Sequence, residues 1–233
     1  MKQPALSPPQ RLRRMHDTLA AAYGPQHWWP ALSRFEMILG AYLTQNTSWK
    51  AVERSLSNLR AAGALTVAGL RALSLDELLQ LIQPSGFFTR KAPAIQAFVA
   101  MLDSEFSGSL TQMAKAPTAS LRKRLLQLPG VGQETADAIL LYALGHAVPV
   151  ADEYLRRIVE RHHLIKASRR INYDSLAQLT REVFAADPES ERRQLYNEFH
   201  ALTVAVGKAH CGRAPRCEGC PLAADLKALP AIH

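Results

Sequence analysis

The sequence predicts an all-α protein, and three features of its pattern favour that fold class. Apolar residues recur three and four positions apart along most of the 233-residue chain, which is the spacing of one helix face. We find no convincing alternation of apolar and polar residues that would indicate β-strands. Segments rich in Pro, Gly and Ser separate the apolar stripes, at 4–9, 84–86, 107–109, 129–132 and 212–221.

The first half of the chain contains four apolar stripes. One of them opens with a capping box, because Ser74 is followed three residues later by Glu77. Each stripe predicts a helix with one buried face. The stripes are Phe35, Ile38, Leu39 and Tyr42; Trp49, Val52, Leu56 and Leu59; Leu75, Leu78, Leu79 and Ile82; and Ile95, Phe98, Val99 and Leu102.

The second half contains five further stripes of the same kind. The third of these belongs to an amphipathic helix, because its opposite face carries Arg156, Arg157, Glu160 and Arg161. The stripes are Leu121, Leu125 and Leu128; Ala136, Ile139, Leu140, Ala143 and Leu144; Leu155, Ile158, Val159 and His162; Leu176, Leu179, Val183 and Phe184; and Leu195, Phe199, Leu202 and Val206.

The charge and hydrophobic content of the chain indicate which kind of partner it binds. The net charge of +8 favours a polyanion, most simply a nucleic acid. No apolar run approaches the roughly 20 residues that span a bilayer, and the first residues lack the apolar segment of a signal peptide. We therefore expect a soluble, cytoplasmic protein. All three cysteines lie between 211 and 220, which favours a metal site over disulfides in such a compartment.

The segment LPGVG, residues 128–132, predicts a tight turn between two helices. Gly130 and Gly132 are placed where the backbone can adopt positive φ without a Cβ clash. The N–H groups of such a turn and of the following helix then point in one direction and form an anion site. DNA phosphate is the obvious anion for a basic protein, but a plain helix–helix turn is the simpler explanation of the two glycines taken alone.

Several segments together resemble the helix-hairpin-helix DNA glycosylase superfamily, of which endonuclease III is a member. The resemblance depends on LPGVGQETADAILLYALG followed at the right distance by PVADEYLRRI. It runs in order over most of the chain and extends to AYLTQNTSWKAVERSLSNL (41–59), IQPSGFFTRKAPAI (82–95) and GKAHCGRAPRCEGCPL (207–222).

The resemblance implies two helical lobes with a cleft between them. The central lobe, 33–148, would carry the helix-hairpin-helix motif, and the second lobe would join 1–32 to 149–233. The hairpin would hold the phosphate backbone of double-stranded DNA. The residues that it would use are Gly130, Val131, Gly132, Gln133 and Thr135.

The resemblance also implies a catalytic residue, Asp152, which lies 20 residues after Gly132. Breaking an N-glycosidic bond builds positive charge on the sugar, and a nearby carboxylate stabilises that charge and can orient the attacking water. A simpler role is open at the same time, since an Asp at this place can cap the helix that begins near Glu153.

Relatives that also cut the DNA strand carry a Lys nucleophile in the second helix of the hairpin, and Glu134 occupies the matching position. A carboxylate cannot form the Schiff base that strand cutting requires. We therefore expect a monofunctional glycosylase in which water attacks the sugar. The simpler role for Glu134 is a favourable interaction with the helix dipole.

The three tryptophans of the chain lie near two loops, in HWWP (27–30) and in QNTSW (45–49), a pattern similar to the 3-methyladenine DNA glycosylase III branch. That branch removes N-alkylated purines, which carry positive charge and suit indole faces. The resemblance implies a base pocket, although an ordinary core position is the alternative for each tryptophan. The pocket residues would be Trp28, Trp29, Pro30 and Trp49.

Four further residues are candidate DNA contacts. Gln45 matches the position whose side chain fills the gap left by the flipped base in endonuclease III relatives, and its neighbour Asn46 could share that role. The alternative for this polar pair is a helix cap. Arg90 and Lys91 are candidate phosphate contacts, and solvated surface charges are the alternative for them.

Endonuclease III binds a structural 4Fe-4S cluster through four cysteines, and this chain retains Cys211, Cys217 and Cys220. The first interval is one residue shorter than in endonuclease III, and Leu226 occupies the fourth position. His210 or Asp225 could supply a fourth ligand, for a cluster or for zinc. A loop without metal is the alternative, and catalysis is expected to require no cofactor.

The sequence as a whole favours a monomeric, nucleoid-associated glycosylase that hydrolyses alkylated purines such as 3-methyladenine from damaged double-stranded DNA. One alternative is an endonuclease III-like glycosylase for oxidised pyrimidines, with or without lyase activity. The other is a DNA-binding module that recognises distorted DNA without catalysis.

Overall fold

The computed structural model describes residues 6–166 and 170–227. Within these ranges the chain forms helices and turns and no β-strand, which confirms the all-α prediction. The chain divides into two compact units. Residues 29–146 form the first, here called the central unit, and residues 1–28 with 147–233 form the second, the terminal unit.

The helices of the described ranges are numbered in chain order. A 3-10 turn at Gln83–Ser85 precedes α6, and a π-helical turn at Ile139–Leu144 continues α9. The helices are α1 (Pro8–Tyr23), α2 (Arg34–Leu43), α3 (Trp49–Ala61), α4 (Val67–Ala72), α5 (Leu75–Ile82), α6 (Phe88–Phe106), α7 (Leu110–Met113), α8 (Thr118–Leu125), α9 (Gln133–Ala138), α10 (Glu153–Arg161), α11 (Tyr173–Val183), α12 (Glu189–Ala209) and α13 (Ala223–Lys227).

The central unit is built around α2. Every residue from Phe35 to Leu43 is buried, because α3, α6, α9 and the π-helical turn pack around this helix. A helix that is enclosed on all sides carries few polar residues. One exception is Glu36, whose carboxylate accepts a hydrogen bond of 2.6 Å from Arg60.

The terminal unit is built from α1, α10, α11 and α12, which pack against one another. Helix α1 begins inside the segment 4–9, which was predicted to be a Pro- and Ser-rich connection between helices. It begins at Pro8, because Ser7 and Gln10 form a capping box and proline is tolerated in the first turn of a helix. Its buried face consists of Leu12, Met15, His16 and Leu19.

Two details differ from the expected stripes. Leu75 was predicted to point inward, but it is the first residue of α5 and is 40% exposed. The stripe that begins at Ala136 was predicted as one α-helix, but its second half is the π-helical turn, which ends at Gly145 in the left-handed conformation. No helix in the described ranges combines the length and the apolar character needed to cross a bilayer.

Candidate functional site

The hairpin of the central unit consists of α8, the turn at 126–132 and α9. Gly130 has a φ of +72°, as predicted. The prediction of positive φ was wrong for Gly132, which is the N-cap of α9 and has a φ of −90°. A Cβ on Gly132 would meet no atom within 4 Å, so the turn surface is open at this residue.

The two glycines therefore differ in what an added methyl group would cost. Gly130→Ala is expected to lower the free energy of unfolding by about 1–2 kcal/mol, because an L-residue is strained at positive φ and its Cβ would lie 3.3 Å from Ala94 Cβ. Gly132→Ala is the matched control, with an expected change within about 0.5 kcal/mol. Urea unfolding of both variants tests this, and equal losses would contradict it.

A buried ion pair holds the two helices of the hairpin together. The Arg122 guanidinium donates from Nε and Nη2 to the two carboxylate oxygens of Asp137, at 2.7 and 3.0 Å. Asp137 is only 2% exposed. Such two-pronged geometry fixes both side chains, so α8 and α9 are joined at a defined spacing. No local pattern in the sequence indicates this pairing.

The loop before α3 is attached to the hairpin through Gln45. Its side-chain NH₂ group donates to the Gly130 carbonyl and to the Thr135 hydroxyl, both at 2.9 Å. An amide NH₂ group has two protons, so both donors of Gln45 are used inside the central unit. Its neighbour Asn46 is exposed and has a φ of +51°. Of the predicted pair, Asn46 is therefore the residue whose side chain faces solvent.

Lys91 corrects one prediction. It was expected as an exposed phosphate contact, but it is 4% exposed and its ammonium group donates to the Leu43 carbonyl, the Ser85 carbonyl and the Thr47 hydroxyl at 2.7–2.9 Å. Burial lowers its pKa to about 8, so it still carries most of its charge at neutral pH. All three protons are used, and Lys91 is a structural cation that holds the Gln45 loop against the 3-10 turn.

A pocket of about 230 Å³ opens beside this loop. The backbone before α6 presents Phe87, which has a φ of +48° and is 58% exposed, and Arg90 is also exposed. Phe87 was not predicted as a site residue, although an aromatic residue directly after a glycine in a predicted loop is a usable signal. The lining residues are Tyr42, Gln45, Asn46, Phe87, Arg90, Lys91, Ala94 and Gly130.

Two of the predicted pocket tryptophans meet in the central unit. The Trp29 and Trp49 rings are 5.6 Å apart in an edge-to-face arrangement, and Trp49 Nε1 donates to Glu53 at 2.8 Å. A third ring, that of Tyr142, lies 5.5 Å from Trp29. Tyr142 was missed, although it is an isolated aromatic in the aliphatic run ILLYALG. We call Trp29, Trp49 and Tyr142 the aromatic cluster.

The other two predicted pocket residues, Trp28 and Pro30, lie outside the aromatic cluster. Trp28 belongs to the terminal unit, where the Lys208 ammonium lies 5.4 Å from the centre of its ring. Pro30 is exposed at the start of the central unit. The side chains of the aromatic cluster are each half-buried, so ring surface is accessible.

Asp152 lies in the terminal unit as the N-cap of α10. Its Oδ1 accepts a hydrogen bond of 2.8 Å from the Leu155 N–H, so the capping role is present. The residue is 7% exposed, and its Oδ2 lies 3.7 Å from His200 Nε2 on α12. The cap therefore uses one carboxylate oxygen and leaves the other for a second function.

The three cysteines line a largely apolar cavity of about 240 Å³ in the terminal unit, together with His210 and Leu226. Burial raises the pKa of Cys220, and the neighbouring Cys211 and Cys217 add to that effect. The Arg161 guanidinium lies 3.0 Å from Cys211 Sγ.

The ligand set around this cavity is incomplete for a metal. Leu226 has no donor atom, and no group of three His, Cys, Asp or Glu side chains in the described ranges is arranged to hold a metal ion. Asp225, expected as a possible fourth ligand, is engaged elsewhere, because it accepts hydrogen bonds from Arg11 and His162. Burial alone would raise its pKa, but these two partners hold it below the ordinary value.

A family model described as HhH-GPD superfamily base excision DNA repair protein matches residues 39–185, which is more than half of the chain. The chain is also 36% identical over 215 residues to a Methanocaldococcus jannaschii protein with the provisional name DNA repair glycosylase. That match covers 91% of this chain and 94% of the relative.

Solved structures give the same result for the fold. The H. pylori 3-methyladenine DNA glycosylase MagIII, bound to 1,N6-ethenoadenine, is similar with a TM-score of 0.73 and 29% identity, over 88% of this chain and 98% of that chain. A trapped endonuclease III–DNA covalent intermediate has a TM-score of 0.76 at 24% identity, over 94% of both chains, which supports the fold alone.

Proposed function

Because the chain belongs to the HhH-GPD superfamily of base excision DNA repair proteins, whose members are DNA glycosylases, we propose that it hydrolyses N-alkylated purines from double-stranded DNA without cutting the strand. The observation that carries the proposal is the aromatic cluster of Trp29, Trp49 and Tyr142. The similarity to a 3-methyladenine glycosylase supports it.

An aromatic cluster suits an alkylated base for two physical reasons. A glycosylase extrudes its target base and holds it against apolar or aromatic faces. A purine such as 3-methyladenine is cationic while it is bonded to the sugar, and its attraction to an electron-rich ring contributes about 0.5–2 kcal/mol. The positive charge also makes the base a good leaving group, so little acid catalysis is required. The half-buried rings of Trp29 and Tyr142 would supply such faces.

Asp152 would then act on the sugar. Bond cleavage leaves an oxocarbenium-like sugar, and a carboxylate near it lowers the barrier by electrostatic stabilisation and by orienting water. This chemistry needs a carboxylate and water, so catalysis requires no cofactor. Glu134 cannot form the Schiff base of a lyase, because a carboxylate is not a nucleophilic amine.

The DNA contacts would come from exposed groups of the central unit. The open surface at Gly132 lets a phosphate approach the backbone N–H groups at the start of α9. Asn46 replaces Gln45 as the preferred side chain to fill the gap left by the extruded base, because the Gln45 amide is engaged. Phe87 can stack between bases, and Arg90 can pair with a phosphate. Added salt should weaken such binding.

The cysteine cavity has no part in this chemistry. A structural 4Fe-4S cluster or a zinc ion at Cys211, Cys217 and Cys220 would need a fourth ligand in place of Leu226, which has no donor atom. It stays a prediction, and elemental analysis of anaerobically purified protein for iron and zinc tests it.

The experiment compares three duplexes that carry methylated purines, 1,N6-ethenoadenine or an oxidised pyrimidine. Free base is scored by chromatography, and strand cutting is scored separately without alkali. We expect release of alkylated purine with an intact strand. Trp29→Ala should slow release, whereas Leu32→Ala, a change at an 86% exposed residue of the same segment, should not.

Two other results would overturn the proposal. Release of oxidised pyrimidine with a borohydride-trapped covalent adduct would indicate an endonuclease III-like enzyme. Binding of all three duplexes with no base release would indicate a DNA-binding module.

A further inference from the structure

We propose that His200 is a positioning residue that fixes the catalytic carboxylate of Asp152, an inference that rests on the proposed function. His200 lies on α12 and is 6% exposed. Its Nε2 atom lies 3.7 Å from Asp152 Oδ2. Local sequence patterns do not indicate this pairing, because the two residues belong to different helices.

The two oxygens of Asp152 face different parts of the terminal unit. Oδ1 accepts from the Leu155 N–H, and Oδ2 faces His200. The cap alone leaves the carboxylate able to tilt about its Oδ1 hydrogen bond. A hydrogen bond to Oδ2 would remove that freedom and fix the direction in which the negative charge faces the sugar.

The distance of 3.7 Å between Nε2 and Oδ2 is longer than a hydrogen bond of 2.7–3.2 Å. Catalytic contacts are often long in the free enzyme and tighten in the complex with substrate. His200 is suited to this task, because an imidazole N–H donates to a carboxylate without requiring a second charge. We expect the contact to shorten when damaged DNA is bound.

The packing of α10 against α12 sets the spacing of the pair. Gly207 on α12 gives room for the Tyr154 ring of α10, and a Cβ at this position would overlap that ring. The Thr203 hydroxyl donates to the His200 carbonyl at 2.8 Å, which adds rigidity to this turn of α12. Both members of the pair therefore stand on helices in close contact.

The experiment measures single-turnover base release with enzyme in excess, on whichever lesion the wild-type protein processes. His200→Ala is expected to slow release by about 100-fold, the typical effect of a small misplacement of a reacting group. DNA affinity, measured by fluorescence anisotropy, should stay within about twofold, because His200 is buried away from solvent. His200→Gln should recover most of the rate, since its amide N–H can donate to Oδ2.

The chain offers a matched control in a second buried His–Asp pair of the terminal unit. His162 Nδ1 lies 2.8 Å from Asp225 Oδ2. His162→Ala should lower the melting temperature but leave the release rate per folded molecule unchanged. All rates are normalised to the active fraction, determined by titration with DNA.

If the wild-type protein releases base, three results would overturn the inference: a wild-type release rate in His200→Ala, no recovery in His200→Gln, or an equal loss in His162→Ala. A wild-type protein that releases no alkylated purine but does release another base contradicts the proposed substrate and not the role of His200. A wild-type protein that releases no base at all overturns both.

Discussion

Asp152→Asn is expected to slow base release by at least about 100-fold while the protein stays folded and binds DNA. The asparagine keeps the shape of the side chain and is as good an N-cap as aspartate, so the hydrogen bond from Leu155 is retained. What would be lost is the negative charge that, in the proposed mechanism, stabilises the oxocarbenium-like sugar, and losing one such electrostatic contact costs about 10²–10³-fold in rate. Single-turnover release and DNA binding by the same variant measure the two effects separately.

Asp225→Asn is the control for this prediction. Asp225 is another buried carboxylate of the terminal unit, paired with Arg11 at 2.5 Å and with His162 at 2.8 Å. Its substitution should reduce thermal stability and leave the rate per folded molecule unchanged. If Asp152→Asn released base at the wild-type rate, Asp152 would be a helix cap only.

Arg122→Met is expected to lower the free energy of unfolding by about 3 kcal/mol. The substitution removes the two-pronged partner of Asp137 and leaves a carboxylate that is 2% exposed, and breaking such a buried pair by removing one partner costs about 3–5 kcal/mol. Urea unfolding of the purified variant measures the loss. Looser joining of α8 and α9 should also weaken DNA binding.

Arg124→Met, two residues further along α8, is the matched control. Arg124 pairs with Glu105 at 2.6 Å, but both side chains are about one-third exposed. Solvent-exposed ion pairs contribute about 0.2–1 kcal/mol, so the expected loss is small. If both variants lost the same free energy of unfolding, the Arg122–Asp137 pair would contribute no more than an exposed ion pair.

Local pattern predicted most of the fold. The stripe from Phe35 to Tyr42 indicated a helix because side chains three and four residues apart share a face, and α2 follows it. The whole of α1 was missed, because Pro8 and Pro9 are typical both of loops and of a first helical turn and no apolar stripe was assigned before Phe35. The left-handed conformations of Asn46 and Phe87 were missed as well, since neither residue is a glycine.

Only those candidate site residues that belong to a local sequence motif could be predicted. The glycine turn and the spacing to Asp152 are local in sequence. His200, Tyr142 and the partners of Lys91 are set by contacts between distant segments, and no periodicity indicates such contacts. Lys91 was misassigned because basic residues are usually exposed, whereas three nearby acceptors allow this one to be buried.

The π-helical turn at Ile139–Leu144 makes the aromatic cluster depend on the length of the chain. A π-helical turn accommodates one residue more than an α-helical turn. Deleting one residue between Ala138 and Tyr142 would restore a regular helix and rotate Tyr142 by about 100° about the helix axis. Its ring would then turn away from Trp29 although every aromatic residue was retained. A comparison of relatives by residue identity alone would overlook such a change. When the lesion preferences of relatives are compared, the presence or absence of the π-helical turn should therefore be compared as well.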